Sequence, residues 1–172
     1  VTPSVAISEC DELTVRMCAL AEETLLTAIS LFDNYKESLR EAVQKNENRL
    51  DRYEDELGTY LVQLSAEKLS LEDSLRVSKM LHVIGDFERL GDHAVNLCEA
   101  DDELYRKGLR FSEAARRELA VLTSAIREIL AVTGLAYRNG ELAHAERTEP
   151  LEQTIDGLVE EIKSRHINRL QK

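Results

Sequence analysis

Val43, Leu50, Leu57 and Leu64 stand seven residues apart without a slip, in a segment whose other positions are mostly polar or charged. A seven-residue step keeps four side chains on one stripe of an α-helix, whereas on a strand it would send successive members to opposite faces. Such a stripe can be buried only against other helices. Tyr53 and Leu61 widen it. The flanking sequence supplies the partners. Cys18, Ala21, Leu25, Ala28 and Phe32 recur at steps of three and four, in a helix expected to start near Ser8, where "SECD" offers a cap followed by an acid. "DNYKES" (33–38) reads as a turn. Ser70 and Asp73 form a second capping box, so a third helix is expected from about Leu71 to Arg106, ending near Gly108. A fourth should follow Ser112 and run to about Tyr137, with "RNG" (138–140) as its turn. A last helical stretch is expected from Glu141 onward, kinked at Pro150 or truly beginning there. Seven glycines and two prolines in 172 residues are too few for the hairpins of a sheet protein. The expected class is all-α.

The formal net charge is −11, and no dense run of Lys and Arg occurs. Nucleic-acid binding is therefore not expected, and contact with anionic lipid is disfavoured. An acidic chain suits a cation or a basic partner, and equally an ordinary soluble protein. Cys10, Cys18 and Cys98 are odd in number and lack CxxC spacing, which suggests reduced thiols rather than a disulfide frame or a zinc site. No apolar stretch reaches the roughly 18 residues of a membrane span, and no signal peptide is visible. The opening "VTPSVA" has no initiator methionine, so a piece of a longer protein is expected. There is no glycine-rich phosphate loop, no serine elbow and no readable Cys–His pair, so catalysis is not expected.

The acids are distributed less evenly than the composition alone would suggest. Glu47 and Asp51, Glu88 and Asp92, and Glu152 and Asp156 are each four residues apart, on one helix face. Like charges at that spacing destabilise a helix unless something offsets them. Glu88 also falls on an expected core line, Val77, Leu81, Ile84, Glu88, Gly91, Val95 and Cys98. An acid there must be half exposed, pair with an arginine, or hold a metal. Gly91 beside it would leave room for a ligand. Helices two and three together would form an all-oxygen site for a hard or borderline metal. Against that, Arg49, Arg52 and Arg89 are available to neutralise the acids. His93 is a ligand, a supporting donor or a surface residue, and Asp86 joins the metal or pairs with an arginine. His82, His144 and His166 read as surface residues. A faint repeat at an offset of 105 places Glu47, Leu50, Asp51 and Leu57 on Glu152, Ile155, Asp156 and Ile162.

"DFERLGDHAVNLCE" (86–99) resembles the signature of PhoU proteins, and "ENRLD" (47–51) and "EQTID" (152–156) resemble the E(D)xxxD motifs of that family's two repeats. The opening "TPSVAI" followed by Arg16 and Met17 is similar to the segment leading into the PhoU-like domain of bacterial sodium/phosphate cotransporters. The resemblance implies one complete antiparallel three-helix bundle (1–107) and a partial second bundle, a helical hairpin (108–172). It implies metal ions on Glu47, Asp51, Glu88 and Asp92, described in the family as a multinuclear iron cluster, with zinc or another divalent metal as alternatives. Asp86, His93, Glu152 and Asp156 are further candidates. The implied role is regulatory, controlling phosphate uptake from the cytoplasmic side of the bacterial inner membrane. The implied partners are the membrane domain of the same transporter and phosphate-signalling proteins. The third helix of the second repeat is not expected in this chain, so Glu152 and Asp156 would lack a partner. The exposed faces of helices four and five are then expected to form a homodimer.

Overall fold

The computed structural model describes residues 2–140 and 146–171. It is helical throughout the regular elements: α1 (Pro3–Leu31), α2 (Glu37–Ser65), α3 (Leu71–Arg106), α4 (Glu113–Asn139) and α5 (Thr148–Leu170). The chain forms two compact units, residues 1–103 and 104–172. No strand occurs among the described residues, and the all-α expectation holds.

Local chemistry accounts for most of the helix ends. Ser70 Oγ accepts from the Asp73 amide at 3.0 Å, so the cap expected there forms, and Ser112 Oγ accepts from the Ala115 amide at 3.2 Å. The cap expected at Ser8 does not form, since its hydroxyl donates to the Ser4 carbonyl inside α1. Gly108 (φ 62°) and Gly140 (φ 66°) take the left-handed conformation that ends a helix, which glycine adopts without steric cost. Pro150 is the third residue of α5 and marks its start instead of kinking it. The start expected at Glu141 lies outside the described residues, as does His144. α1 begins at Pro3, five residues before the expected start at Ser8. Pro3 is preset for a first helical position, and Ala6, Ile7 and Cys10 are buried, so packing extends the helix past the local signal.

In the first unit, short connections fold α1, α2 and α3 into an antiparallel bundle. Its core joins Ile7, Met17 and Ala21 of α1, Leu50, Leu57, Leu61 and Leu64 of α2, and Val77, Met80 and Ile84 of α3. Thr14 and Thr24 are also buried, and their hydroxyls donate to the Cys10 and Leu20 carbonyls, so neither is a polar orphan. The α2 stripe matches the heptad reading. The α3 stripe does not. Its buried line is Val77, Met80, Ile84, Gly91, Ala94, Cys98 and Asp101, with Phe87 packed against the core. Phe87 fills the slot assigned to Glu88, and Glu88 lies half-buried at the edge of the stripe.

In the second unit, α4 and α5 pack as an antiparallel pair. Glu118, near the start of α4, receives both Arg169 guanidinium nitrogens at 2.9 Å, and Glu128 pairs with Arg147 at 3.3 Å. α5 buries no residue fully, and α4 buries only Leu130, Val132 and Gly134. α4 corrects one expectation: over 18 residues it is long and apolar enough, by length and composition, to cross a membrane. Arg127 and Glu128 break the apolar run, which hides this when only unbroken stretches are counted. A charge at mid-bilayer costs roughly 2.5–3.5 kcal/mol, and Glu128 is already ion-paired. A helix of the second unit with one apolar face accounts for the same composition.

Candidate metal centre

One α2 turn separates Glu47 from Asp51, and α3 brings Asp92 to them. Oxygens from these three carboxylates all lie within 4.8 Å of one another. Glu47 is half-buried, and Asp51 and Asp92 are exposed. The close approach of α2 and α3 at this level depends on Gly91. A Cβ there would stand 2.8 Å from Leu50 Cδ1 and 3.7 Å from Glu47 Cγ. The space beside Gly91 is therefore filled by Leu50, a fully buried core residue, and not by a ligand as the sequence suggested. The glycine lets the helices approach, and the approach sets Asp92 against Glu47 and Asp51.

The electrostatics of the cluster are strained. Burial, then the charges of Asp51 and Asp92, push the Glu47 carboxyl above the usual range, although Gln44 donates to Glu47 Oε2 at 2.7 Å and partly opposes this. Burial also raises Glu88, helped by the Asp92 charge, by a hydrogen bond with the Asp92 carboxylate, and by Asp51 and Glu54. Glu88 therefore borders the group of three rather than standing apart from it. Glu54 does not stand out in the sequence reading, although a signal for it is there. It is three residues after Asp51 and seven after Glu47, on the same face of α2.

Two of the three arginines proposed as neutralisers make their contacts away from these acids. Arg49 donates to Asn46 Oδ1 at 3.4 Å, and Arg52 pairs with Glu56 at 3.1 Å. Among the described residues no salt bridge joins an arginine to Glu47, Asp51, Glu88 or Asp92. Asp86 and His93 are exposed on α3 and lie outside the group of three. Glu152 and Asp156 are exposed on α5, in the other unit, and belong to no such group among the described residues. His82 and His166 are exposed. Cys10, Cys18 and Cys98 are free and buried. Burial raises the Cys10 thiol, and pushes the Cys98 thiol to about 11, so neither is a ready thiolate.

Three or four carboxylates converging without a counter-charge can hold a cation through hard oxygen donors. A bound ion would relieve the repulsion that raises Glu47 and Glu88.

The family model described as the PhoU domain matches residues 14–100, a span from α1 through most of α3 that holds every acid of the cluster. A curated relative from Clostridium acetobutylicum, the phosphate-specific transport system accessory protein PhoU homolog, is 26% identical over 88 residues. That alignment covers 50% of this chain and 40% of the relative's length. No solved structure matches the chain.

Proposed function

Because this chain belongs to the PhoU family, we propose that it regulates phosphate handling without catalysing a reaction, and that Glu47, Asp51 and Asp92 hold a divalent metal ion or cluster with Glu88 and Glu54 beside them. The observation that carries this reading is the meeting of carboxylates from α2 and α3 within 4.8 Å, with Glu47 and Glu88 raised by one another's neighbours. All-oxygen ligands suit iron(II), manganese or magnesium better than a thiolate-seeking metal, and zinc is the alternative. The metal would supply positive charge that fixes α2 against α3. The acids of this chain would position it, and Gln44 would orient Glu47.

The wider setting is part of the same proposal. The domain is placed on the cytoplasmic side of the bacterial inner membrane, joined to a sodium-dependent phosphate transporter and signalling to its phosphate-responsive partners. Residues 1–107 are read as one PhoU repeat and 108–172 as part of a second. The support for the second is the E-x-x-[LI]-D pattern shared by α2 and α5.

Elemental analysis of protein purified without chelators tests the metal. We expect at least one equivalent per chain, lost in the D51N/D92N variant, whose side chains are exposed and whose fold should survive. Negligible metal in the unmodified protein, or equal metal in the variant, overturns the assignment.

A further inference from the structure

One cavity of the first unit, sharing no residue with the acid cluster, lies between α1 and α2. It measures about 480 Å³ and is lined by Leu13, Arg49, Arg52, Tyr53, Glu56, Leu57 and Tyr60. That size falls within the range of small-ligand sites. Its chemistry is divided along the helix axis. Arg49 and Arg52 are three residues apart, so their stems are neighbours. Arg49 now reaches back to Asn46 and Arg52 forward to Glu56, and both would swing toward each other to share one anion. Tyr53 and Tyr60 are two turns apart, about 10.5 Å along the axis, with Leu13 and Leu57 forming an apolar floor. Tyr53 packs against the core, while Tyr60 is 42% exposed. Among the described residues neither phenol hydroxyl has a hydrogen-bond partner.

The arginines are held loosely. Arg49 makes one long bond, 3.4 Å, to Asn46. Arg52 pairs with Glu56 at 3.1 Å, but their side chains are 77% and 73% exposed, and such a pair is easily exchanged for a better anion. Two guanidiniums at the rim of one cavity are unusual company in a chain of net charge −11. They match a phosphate bidentately, whereas a bare inorganic anion would leave the apolar floor and both rings unused. The rings suit a flat body lying against them.

We propose that this cavity binds a small organic phosphate with a flat aromatic body, the chemistry of a nucleoside monophosphate, with its phosphate on Arg49 and Arg52 and its ring against Tyr53 and Tyr60. Glu56 competes with the phosphate for Arg52 and sets the affinity. The site does not use the metal, so its fate is separable from that of the carboxylate cluster.

Calorimetric titration of the full chain with adenosine 5′-monophosphate, adenosine and inorganic phosphate tests this. The monophosphate should bind one per chain, with adenosine and inorganic phosphate each weaker by about tenfold or more, the worth of losing one charge-assisted contact set. R49Q/R52Q should lose about tenfold or more in affinity with an unchanged melting temperature, since both residues are exposed. Glu56→Gln should tighten binding, and Tyr60→Ala should weaken the nucleotide but not inorganic phosphate. The proposal falls if the monophosphate shows no saturable binding at millimolar concentration, or if R49Q/R52Q binds it like the unmodified protein. It also falls if inorganic phosphate binds as tightly as the nucleotide. Loss of binding in D51N/D92N, with R49Q/R52Q unaffected, would place the ligand on the carboxylates and equally overturn it.

Discussion

Asp101 and Glu88 show how one residue's rotation about a helix changes what an acid means. Glu88 is the expected interior acid of α3, yet Phe87 occupies that slot and Glu88 rests at the edge among other carboxylates. The acid that is buried is Asp101, 6% exposed, with Oδ2 lacking a hydrogen-bond partner. Burial and the neighbouring Asp102 hold its carboxyl above the usual range. A raised carboxyl binds its proton more tightly in the folded chain than in the unfolded one. Its contribution therefore becomes less favourable as pH rises from the ordinary aspartate range through the raised value, and stays so at neutral pH. Asp101→Asn removes the charge at constant shape. It should stabilise the protein by about 1 kcal/mol at neutral pH, the lower end of what a buried unsatisfied group costs, and the gain should vanish in acid. Urea unfolding of both proteins across that range measures it. A variant no more stable at neutral pH would mean that Asp101 is satisfied or useful where it stands.

At the level of elements, α2 and α3 carry opposing demands. Leu50 against Gly91 draws them together, and the acids of both helices repel where that contact brings them. Without metal, the folded chain takes up protons on Glu47 and Glu88 above the ordinary carboxylate range, so acidification from neutral pH toward about 5 should raise the melting temperature. Glu118 in the second unit works in the opposite sense. Arg169 and Arg165 hold its carboxyl low, and its contribution is lost only below the ordinary glutamate range, in a separate acid limb. Saturating metal should remove the gain on acidification and raise the melting temperature at neutral pH. A ligand at a hundredfold excess over its Kd adds about 2.7 kcal/mol. Scanning calorimetry with chelator, and with added iron(II), zinc or manganese, at two pH values checks both signs. A melting temperature indifferent to chelator in protein that contains metal would break the link between the cluster and the helix pair.

The whole molecule leaves apolar surface uncovered in its second unit. Val121 is 54% exposed, Leu135 38%, Ile167 54% and Leu170 74%. Apolar burial is worth about 25 cal/mol per Å², so a strip of several hundred Å² is a strong drive to associate. The expected outcome is a two-fold homodimer in which the α4–α5 pairs of two chains form a four-helix arrangement. Light scattering at micromolar concentration should report twice the chain mass, and Val121→Glu with Ile167→Glu should return a monomer. A monomeric unmodified protein at that concentration counts against the dimer.

The ends of α3 and α4 and the carboxylate pairs are legible in the sequence, because each is written within a few residues, whereas the start of α1 is not, since packing carries it past Ser8 to Pro3. Ser70 and Ser112 cap their own helices, Gly108 and Gly140 end theirs, and an i, i+4 spacing keeps Glu47 with Asp51 wherever α2 lies. The α2 stripe is legible too, since its leucines have polar neighbours and only one face qualifies. α3 offers two readings, because Met80 stands beside Leu81, Phe87 beside Glu88, and Ala94 beside Val95, so its apolar line can shift by one residue. Only the surfaces that α1 and α2 present across the core decide its rotation. That rotation buries Asp101, turns Glu88 to the edge, fills the space at Gly91 with Leu50, and brings Asp92 to Glu47 and Asp51. These are contacts between residues about 40 positions or more apart, and no local preference specifies them.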